Sequence, residues 1–145
     1  MIKILCVGKI KEQYLVDLIE DYKKRISKYQ RIEIVELKDS DIYEKEINSL
    51  KEKINLKDYN IAMDFRGKSY NSLDFAKKID KVFSINSNIT FIIGGSNGLN
   101  DEIRGLCQEI MSFSNLTFPH GLFRGILLEQ IYRAFKINNN ESYHK

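Results

Sequence analysis

The sequence predicts an α/β fold in a single domain over residues 1–145, with a mostly parallel sheet and helices on both faces. Short runs rich in β-branched residues alternate along the chain with longer segments that repeat apolar residues every three or four positions. Such alternation is typical of strand–helix–strand units. A chain of 145 residues is also long enough to bury one core without disulfides or metals.

The first half of the chain contains two predicted strands and two predicted helices. Residues Ile2 to Val7 form a continuous apolar run, as in a buried strand. From Glu12 to Tyr29 apolar side chains recur at steps of three and four, which predicts an amphipathic helix. Residues Ile32 to Leu37 alternate apolar and charged, which predicts a half-exposed strand. A polar helix follows, with apolar positions at Ile47, Leu50 and Ile54.

The second half continues the alternation. The apolar run Ile61 to Phe65 predicts a strand, which a basic turn at Arg66 to Lys68 ends. Asn71 or Ser72 can cap the next helix. The remaining elements are a β-branched strand at Ile89 to Ile93, a helix near Asp101 to Ile110, a short run around Phe113, and a helix from about Leu122 to Ile137. Because ligands of such sheets lie beyond the carboxyl ends of the strands, we expect a site near the loops after Phe65, Ile93 and Phe113.

The composition of the chain indicates which kinds of protein and which kinds of binding site can be expected. No apolar run reaches the roughly 18 residues of a membrane span, so we expect a cytoplasmic protein without a membrane partner. Cys6 and Cys107 lie in apolar runs without CxxC spacing, and no residue cluster has metal-ligand spacing, so no metal is expected. The net charge of +3 permits contact with nucleic acid but does not demonstrate it.

The segment GGSNG, residues 94 to 98, follows a predicted strand and matches the GxSxG turn of serine hydrolases. A nucleophilic Ser96 would need an imidazole, and the chain offers His120 and His144. Alternatively, the glycines let the backbone turn sharply and approach a ligand closely. The turn itself leaves both interpretations open.

The last predicted helix is apolar on two sides. Phe123, Leu127, Ile131 and Ala134 form one stripe, whereas Leu128 and Tyr132 lie roughly opposite it. This pattern favours two partners for the helix, the core and a second subunit. Glu129 and Arg133 are one turn apart and can form an ion pair.

Several motifs together resemble the RlmH family of ribosomal RNA methyltransferases, which belongs to the SPOUT class. The family pattern contains GGxxGL after an apolar strand, then PHxxxRxxxxEQxYRA, then a tail with YH. The chain supplies these residues as Gly94, Gly95, Gly98, Leu99, Pro119, His120, Arg124, Glu129, Gln130, Tyr132, Arg133, Ala134, Tyr143 and His144. The start MIKILCVGK and the segment DFRGK also match, so the resemblance spans essentially the whole chain.

The resemblance implies a C-terminal trefoil knot that forms a pocket for S-adenosylmethionine. The cofactor-binding residues that it implies are Met63, Gly94, Phe113, Ser114, Asn115, Leu116, Thr117 and Phe118. It further implies a homodimer that methylates N3 of a pseudouridine in a hairpin loop of 23S rRNA within the assembled 70S ribosome. A non-catalytic RNA-binding SPOUT module is an alternative, as is the serine hydrolase.

The resemblance also suggests roles for five residues. We hypothesise that Glu129, or a water it orients, helps to remove the N3 proton, while Arg124 and Arg133 hold phosphate or base oxygens. Tyr143 and His144 would order over the base when RNA binds. Ser96 occupies a variable position of the family pattern, so its hydroxyl is not expected to take part in the reaction.

Overall fold

A computed structural model describes all residues, 1–145, as alternating strands and helices around one sheet. The elements in chain order are β1 (Ile2–Val7), α1 (Gln13–Ile26), β2 (Ile32–Leu37), α2 (Tyr43–Lys53), β3 (Tyr59–Ser69), α3 (Ser72–Phe83), β4 (Ile89–Ile93), α4 (Asp101–Gly105), β5 (Glu109–Ser112) and α5 (His120–Asn138). The five strands pair in the order β2-β1-β4-β3-β5, and every pairing is parallel. The predicted fold class is confirmed.

Helices cover both faces of the sheet because alternate strand residues point to opposite sides. On one face Ile4 belongs to a core that also holds Ile19 of α1, Ile79 of α3 and Leu127 of α5. On the other face Leu5 packs in a smaller core formed with side chains of α2 and α4, which include Ile47, Leu50 and Ile103. No helix of the structure combines the length and the apolar character needed to cross a membrane.

The structure corrects two predicted elements around β5. The helix expected to reach Ile110 ends at Gly105, and residues 109–112 form β5 instead. The basic turn expected at Arg66 to Lys68 belongs to β3, which continues to Ser69 after a register shift against β5. Tertiary strand pairing thus overrides a local pattern that resembles a helix.

Gly67 is where β3 and β5 approach most closely. A Cβ at this position would lie 2.5 Å from the carbonyl carbon of Ile110 and 2.5 Å from the backbone nitrogen of Met111. Backbone atoms cannot move aside as a flexible side chain can, so the pairing at this point requires glycine.

The second apolar side of α5 is buried within the chain. Leu128 is fully buried and Tyr132 is 8% exposed. The Tyr132 ring lies 6.0 Å from that of Tyr22 on α1, and the Phe135 ring stacks on Tyr29 at 5.5 Å. The expectation that Leu128 and Tyr132 contact a second subunit is therefore wrong, because α1 and α3 flank α5 on both sides.

The tail after α5 packs against the helices through Tyr143. Its ring packs edge-on against Tyr132 with centroids 4.9 Å apart. Glu141 accepts a hydrogen bond from the hydroxyl of Tyr29 at 2.8 Å and pairs with Lys136 at 3.0 Å. The tail therefore lies along α1 and α5.

We expect Gly67→Ala to lower the free energy of unfolding by about 2 kcal/mol, because the added methyl group must force β3 and β5 apart. Gly105→Ala is the matched control, since a Cβ there meets no atom within 4 Å. Urea denaturation of both variants measures the difference. An unchanged midpoint for Gly67→Ala would contradict the close approach of the two strands.

Candidate cofactor pocket and catalytic cluster

A cavity of about 390 Å³ lies beyond the carboxyl ends of β4 and β5 and beside the register shift within β3. The loops expected after Ile93 and Phe113 contribute to its lining, whereas the third expected segment, after Phe65, lies within β3. Its lining comprises Met63 to Arg66, Ile93 to Leu99, Met111 to Ser114, Leu116 to Phe118, His120 and Phe123. Seven of the eight residues that the resemblance suggested for cofactor binding are among them, and Asn115 is not.

The glycine turn after β4 forms one wall of the cavity. The backbone N–H of Gly98 donates a hydrogen bond to the carbonyl oxygen of Gly95 at 2.9 Å. Gly98 has a φ of +71°, a conformation that residues with a Cβ rarely adopt. On its outer side, the hydroxyl of Tyr43 in α2 donates to the Gly98 carbonyl at 3.2 Å. The turn is thus held in shape by the backbone and by one side chain.

Arg104 joins this wall to β3, a link that sequence reasoning missed. Its Nη1 donates to Oδ2 of Asp64 at 2.9 Å and to the carbonyl oxygen of Leu99 at 2.7 Å. Its Nη2 bonds Asp101 Oδ1 at 2.6 Å, and these hydrogen bonds raise the pKa of Arg104. Asp64 lines the cavity with only 5% of its side chain exposed. The ion pair therefore fixes two strand ends relative to each other. In the sequence, the DFRGK segment, which contains Asp64, and the acidic start of α4 were the features that could have indicated these contacts of Arg104.

The third wall, the loop between β5 and α5, offers both apolar surface and free polar groups. The ring of Phe113 lies 5.7 Å from that of Phe123 and 5.3 Å from that of Phe75. The backbone N–H groups of Thr117 and Phe118 donate to no other group of the chain. A ligand with a flat ring and polar edges can use both features.

Four of the five predicted catalytic residues come together on α5 and the tail. Oε1 of Glu129 accepts hydrogen bonds from Arg133 Nε at 3.0 Å, Arg133 Nη2 at 2.5 Å and the Tyr143 hydroxyl at 3.0 Å. Nη1 of Arg133 lies 3.0 Å from Nδ1 of His144. We call Glu129, Arg133, Tyr143 and His144 the tail cluster. The predicted ion pair of Glu129 and Arg133 is confirmed.

The surroundings of the tail cluster raise the pKa of two of its residues, Tyr143 and Arg133. Burial and hydrogen bonds with Tyr22 and Glu129 raise the pKa of Tyr143, so its hydroxyl stays protonated at neutral pH. The hydrogen bond to Glu129 raises the pKa of Arg133. Both groups therefore act as hydrogen-bond donors.

Arg124, the fifth candidate, lies apart from the tail cluster. It is 2% exposed and donates from Nη1 to Oε2 of Glu36 at 2.6 Å and from Nη2 to the Gly8 carbonyl at 3.1 Å. Its Nε has no hydrogen-bond partner. The position of Arg124 indicates that it links α5 to β2 and to the loop after β1, rather than reaching an RNA phosphate directly.

The tail cluster and the cavity do not share a residue. Phe123 is the last residue of α5 that lines the cavity, and Glu129 follows six residues later, about 9 Å along the axis of α5 at 1.5 Å per residue. One chain therefore presents the two groups at separate places.

Ser96 lines the cavity but forms no hydrogen bond with either histidine. The structure thus lacks the serine–imidazole contact that the hydrolase alternative requires. Burial raises the pKa of Cys6 and of Cys107 to about 11, so neither thiol is an activated nucleophile. No group of three or more potential metal-binding side chains is present.

Comparison with known sequences decides the family. The family model described as "Predicted SPOUT methyltransferase" matches residues 1–144. The chain belongs to the SPOUT methyltransferase family. Proteins named Ribosomal RNA large subunit methyltransferase H are similar to this SPOUT chain over its full length. Those of Clostridioides difficile and Streptococcus uberis are 47% and 46% identical, each covering 99% of both chains. That of Caldicellulosiruptor saccharolyticus is 42% identical and covers 100% of both.

Solved structures of more distant proteins show a similar fold. A probable methylase family protein from Haemophilus influenzae superposes with a TM-score of 0.60 at 14% identity, over 99% of this chain and 70% of the other. The SpoU methyltransferase AviRb from Streptomyces viridochromogenes gives a TM-score of 0.52 at 10% identity, over 98% and 62% of the two chains. At such identities the likeness extends to the fold alone.

We expect Gly98→Ala to weaken S-adenosylmethionine binding about tenfold, since a side chain in the left-handed region costs roughly 1–2 kcal/mol and distorts the turn. Gly8→Ala is the matched control, because Gly8 has a φ of +97° but lies outside the cavity. Isothermal titration calorimetry measures both affinities. Equal affinities of the two variants would show that the turn does not contact the cofactor.

Proposed function

We propose that the protein is a ribosomal RNA methyltransferase that uses S-adenosylmethionine to methylate N3 of a pseudouridine in a hairpin loop of 23S rRNA. The proposed substrate is the assembled 70S ribosome in the cytoplasm. The observation that carries the proposal is the cavity where the ends of β4 and β5, the register shift of β3 and two loops converge. The names of the full-length relatives, at 42–47% identity, support ribosomal RNA as the class of substrate.

The residues of the cavity fit S-adenosylmethionine. Met63, Phe113 and Phe123 offer apolar surface to an adenine ring, and the free N–H groups of Thr117 and Phe118 can donate to its polar edge. The side chain of Asp64 also lies on the lining, where it pairs with both Arg104 and Arg66. When bound, the cofactor supplies an electrophilic methyl group on a sulfonium. We propose that the loop from Phe113 to Phe118 is part of a trefoil knot.

In this proposal Glu129 assists removal of the proton from N3. Three donors already occupy its Oε1, whereas Oε2 accepts only from Nε2 of Gln130 at 2.9 Å. Oε2 therefore retains a lone pair for the proton or for a water that relays it. Arg133 and Tyr143 hold the carboxylate in place, so the acceptor oxygen has a fixed orientation.

Arg133 and His144 are the proposed RNA contacts of the tail cluster. The Arg133 guanidinium lies 4.7 Å from the centre of the Tyr143 ring, and His144 is exposed beside it. An aromatic ring, an imidazole and a guanidinium can stack on an unpaired base and bond its oxygens. We propose that Arg124 supports these contacts indirectly, by holding α5 against β2.

The separation of tail cluster and cavity supports a homodimer. Glu129 is about 9 Å along α5 from Phe123 on the cavity lining of its own chain, whereas a general base must lie within about 3 Å of the proton that it removes. A second copy can place its tail cluster at the cavity of the first. The active site would then be complete only in the dimer.

We expect Glu129→Gln to lower the rate of methyl transfer to unmethylated 70S ribosomes at least about 100-fold, because positioned general bases contribute this much. Affinity for S-adenosylmethionine should stay unchanged, which also shows that the variant is folded. His144→Ala should behave in the same way, with Lys145→Ala as its neighbouring control.

Glu33→Gln, an exposed carboxylate on β2, is the matched control for Glu129→Gln. Near-normal turnover of both Glu129→Gln and His144→Ala would remove the proposed roles of the tail cluster. Cofactor binding by the native protein without turnover on ribosomes would instead favour the non-catalytic RNA-binding module.

A further inference from the structure

A second concave surface, separate from the cofactor cavity, is lined mainly by lysines. It lies between the end of β3 and the exposed side of α3, and its volume is about 350 Å³. Its charged residues are Lys68, Lys77, Lys78, Lys81 and Asp74. We call this surface the lysine groove.

Three of the four lysines are free to bind an external anion. Lys78 pairs with Glu109 at 3.3 Å, and the Tyr70 hydroxyl also bonds this carboxylate. Lys68, Lys77 and Lys81 are exposed and form no ion pair, although Asp74 lies on the same surface. At the floor of the groove, Glu109 therefore neutralises the charge of Lys78. The unpaired lysines at the rim leave an excess of positive charge there.

The groove continues from the mouth of the cofactor cavity. Arg66, on the cavity lining, precedes Lys68 by two residues of β3, about 7 Å at 3.3 Å per residue. Lys77 and Lys81 follow one turn apart on α3, about 6 Å at 1.5 Å per residue. The lysines of β3 and α3 thus form a track beside the cavity lining, where Arg66 itself pairs with Asp64 at 3.3 Å.

The chemistry of this track fits a linear polyanion better than a small anion. The groove is open, and its lysines are flexible point charges without the fixed fork of an arginine. Lys68 is exposed, and its ammonium group lies 5.2 Å from the centre of the Tyr70 ring. Such contacts position a phosphate backbone without selecting its sequence.

We propose that the lysine groove binds the sugar-phosphate backbone of the ribosomal RNA next to the target loop and directs that loop into the cofactor cavity. This inference rests on the proposed function, because it identifies the RNA segment as part of the substrate. Lys68, Lys77 and Lys81 provide the phosphate contacts, and Lys78 with Glu109 and Tyr70 holds the groove in shape.

The test replaces Lys68, Lys77 and Lys81 with glutamine in one variant. The control variant carries Lys28→Gln, Lys53→Gln and Lys57→Gln, which removes the same charge from exposed, unpaired lysines near the amino ends of the strands. Binding to unmethylated 70S ribosomes is measured as a function of salt for both variants and the native protein, and methyl transfer is measured beside it.

We expect the slope of log affinity against log salt to fall in magnitude by about 2 for the groove variant relative to the control, since each contact to single-stranded phosphate contributes roughly 0.7. KM for ribosomes should rise, while the maximal rate and the affinity for S-adenosylmethionine stay unchanged.

Equal slopes for the two variants would overturn the proposal. A raised KM with an unchanged slope would also overturn it, because the partner would then be a ribosomal protein. Absence of methyl transfer by the native protein would refute the proposed function alone, since the salt slopes still report on the groove.

Discussion

Parallel pairing of β3 with β4 on one side and with β5 on the other is the constraint on which the site depends. It brings the register shift of β3 next to the carboxyl ends of β4 and β5, where the loops after β4 and β5 surround a single cavity. The pairing with β5 tolerates no Cβ at Gly67. The ion pair of Asp64 with Arg104 then fixes β3 relative to the turn after β4. The shape of the cavity is therefore set by backbone pairing and by one buried charge pair.

The last helix connects the cavity with the tail cluster. Its first residues line the cavity, its middle is buried between α1 and α3, and its later turns present Glu129 and Arg133. The buried Arg124 anchors it to Glu36. Tyr22 of α1 and Tyr29, which follows this helix, hold the tail, so Tyr143 and His144 have defined positions within the chain. This arrangement suits the proposed dimer, in which two copies would share one active site.

Much of this arrangement could be predicted from local patterns, because β1, β2 and β4 are short apolar or alternating runs with clear ends. The β5 segment could not, since Ile103, Cys107 and Ile110 repeat with helical spacing and only pairing with β3 extends the chain there. The two apolar sides of α5 were visible, but sequence cannot tell a neighbouring helix from a second subunit. The cavity residues could be predicted from the usual position of ligands in parallel sheets and from the family resemblance. The Asp64–Arg104 pair could not, because it is a contact between residues 40 positions apart.

The central claim is that the loops after β4 and β5, together with residues 63–66 of β3, bind S-adenosylmethionine. Titration of the cofactor into the ¹⁵N-labelled protein, followed by backbone amide chemical shifts, tests this claim most directly. We predict that the large shifts fall in residues 63–66, 94–99 and 112–118, which surround the cavity. Shifts concentrated around Glu129, Arg133 and His144, or no shifts at saturating cofactor, would contradict it.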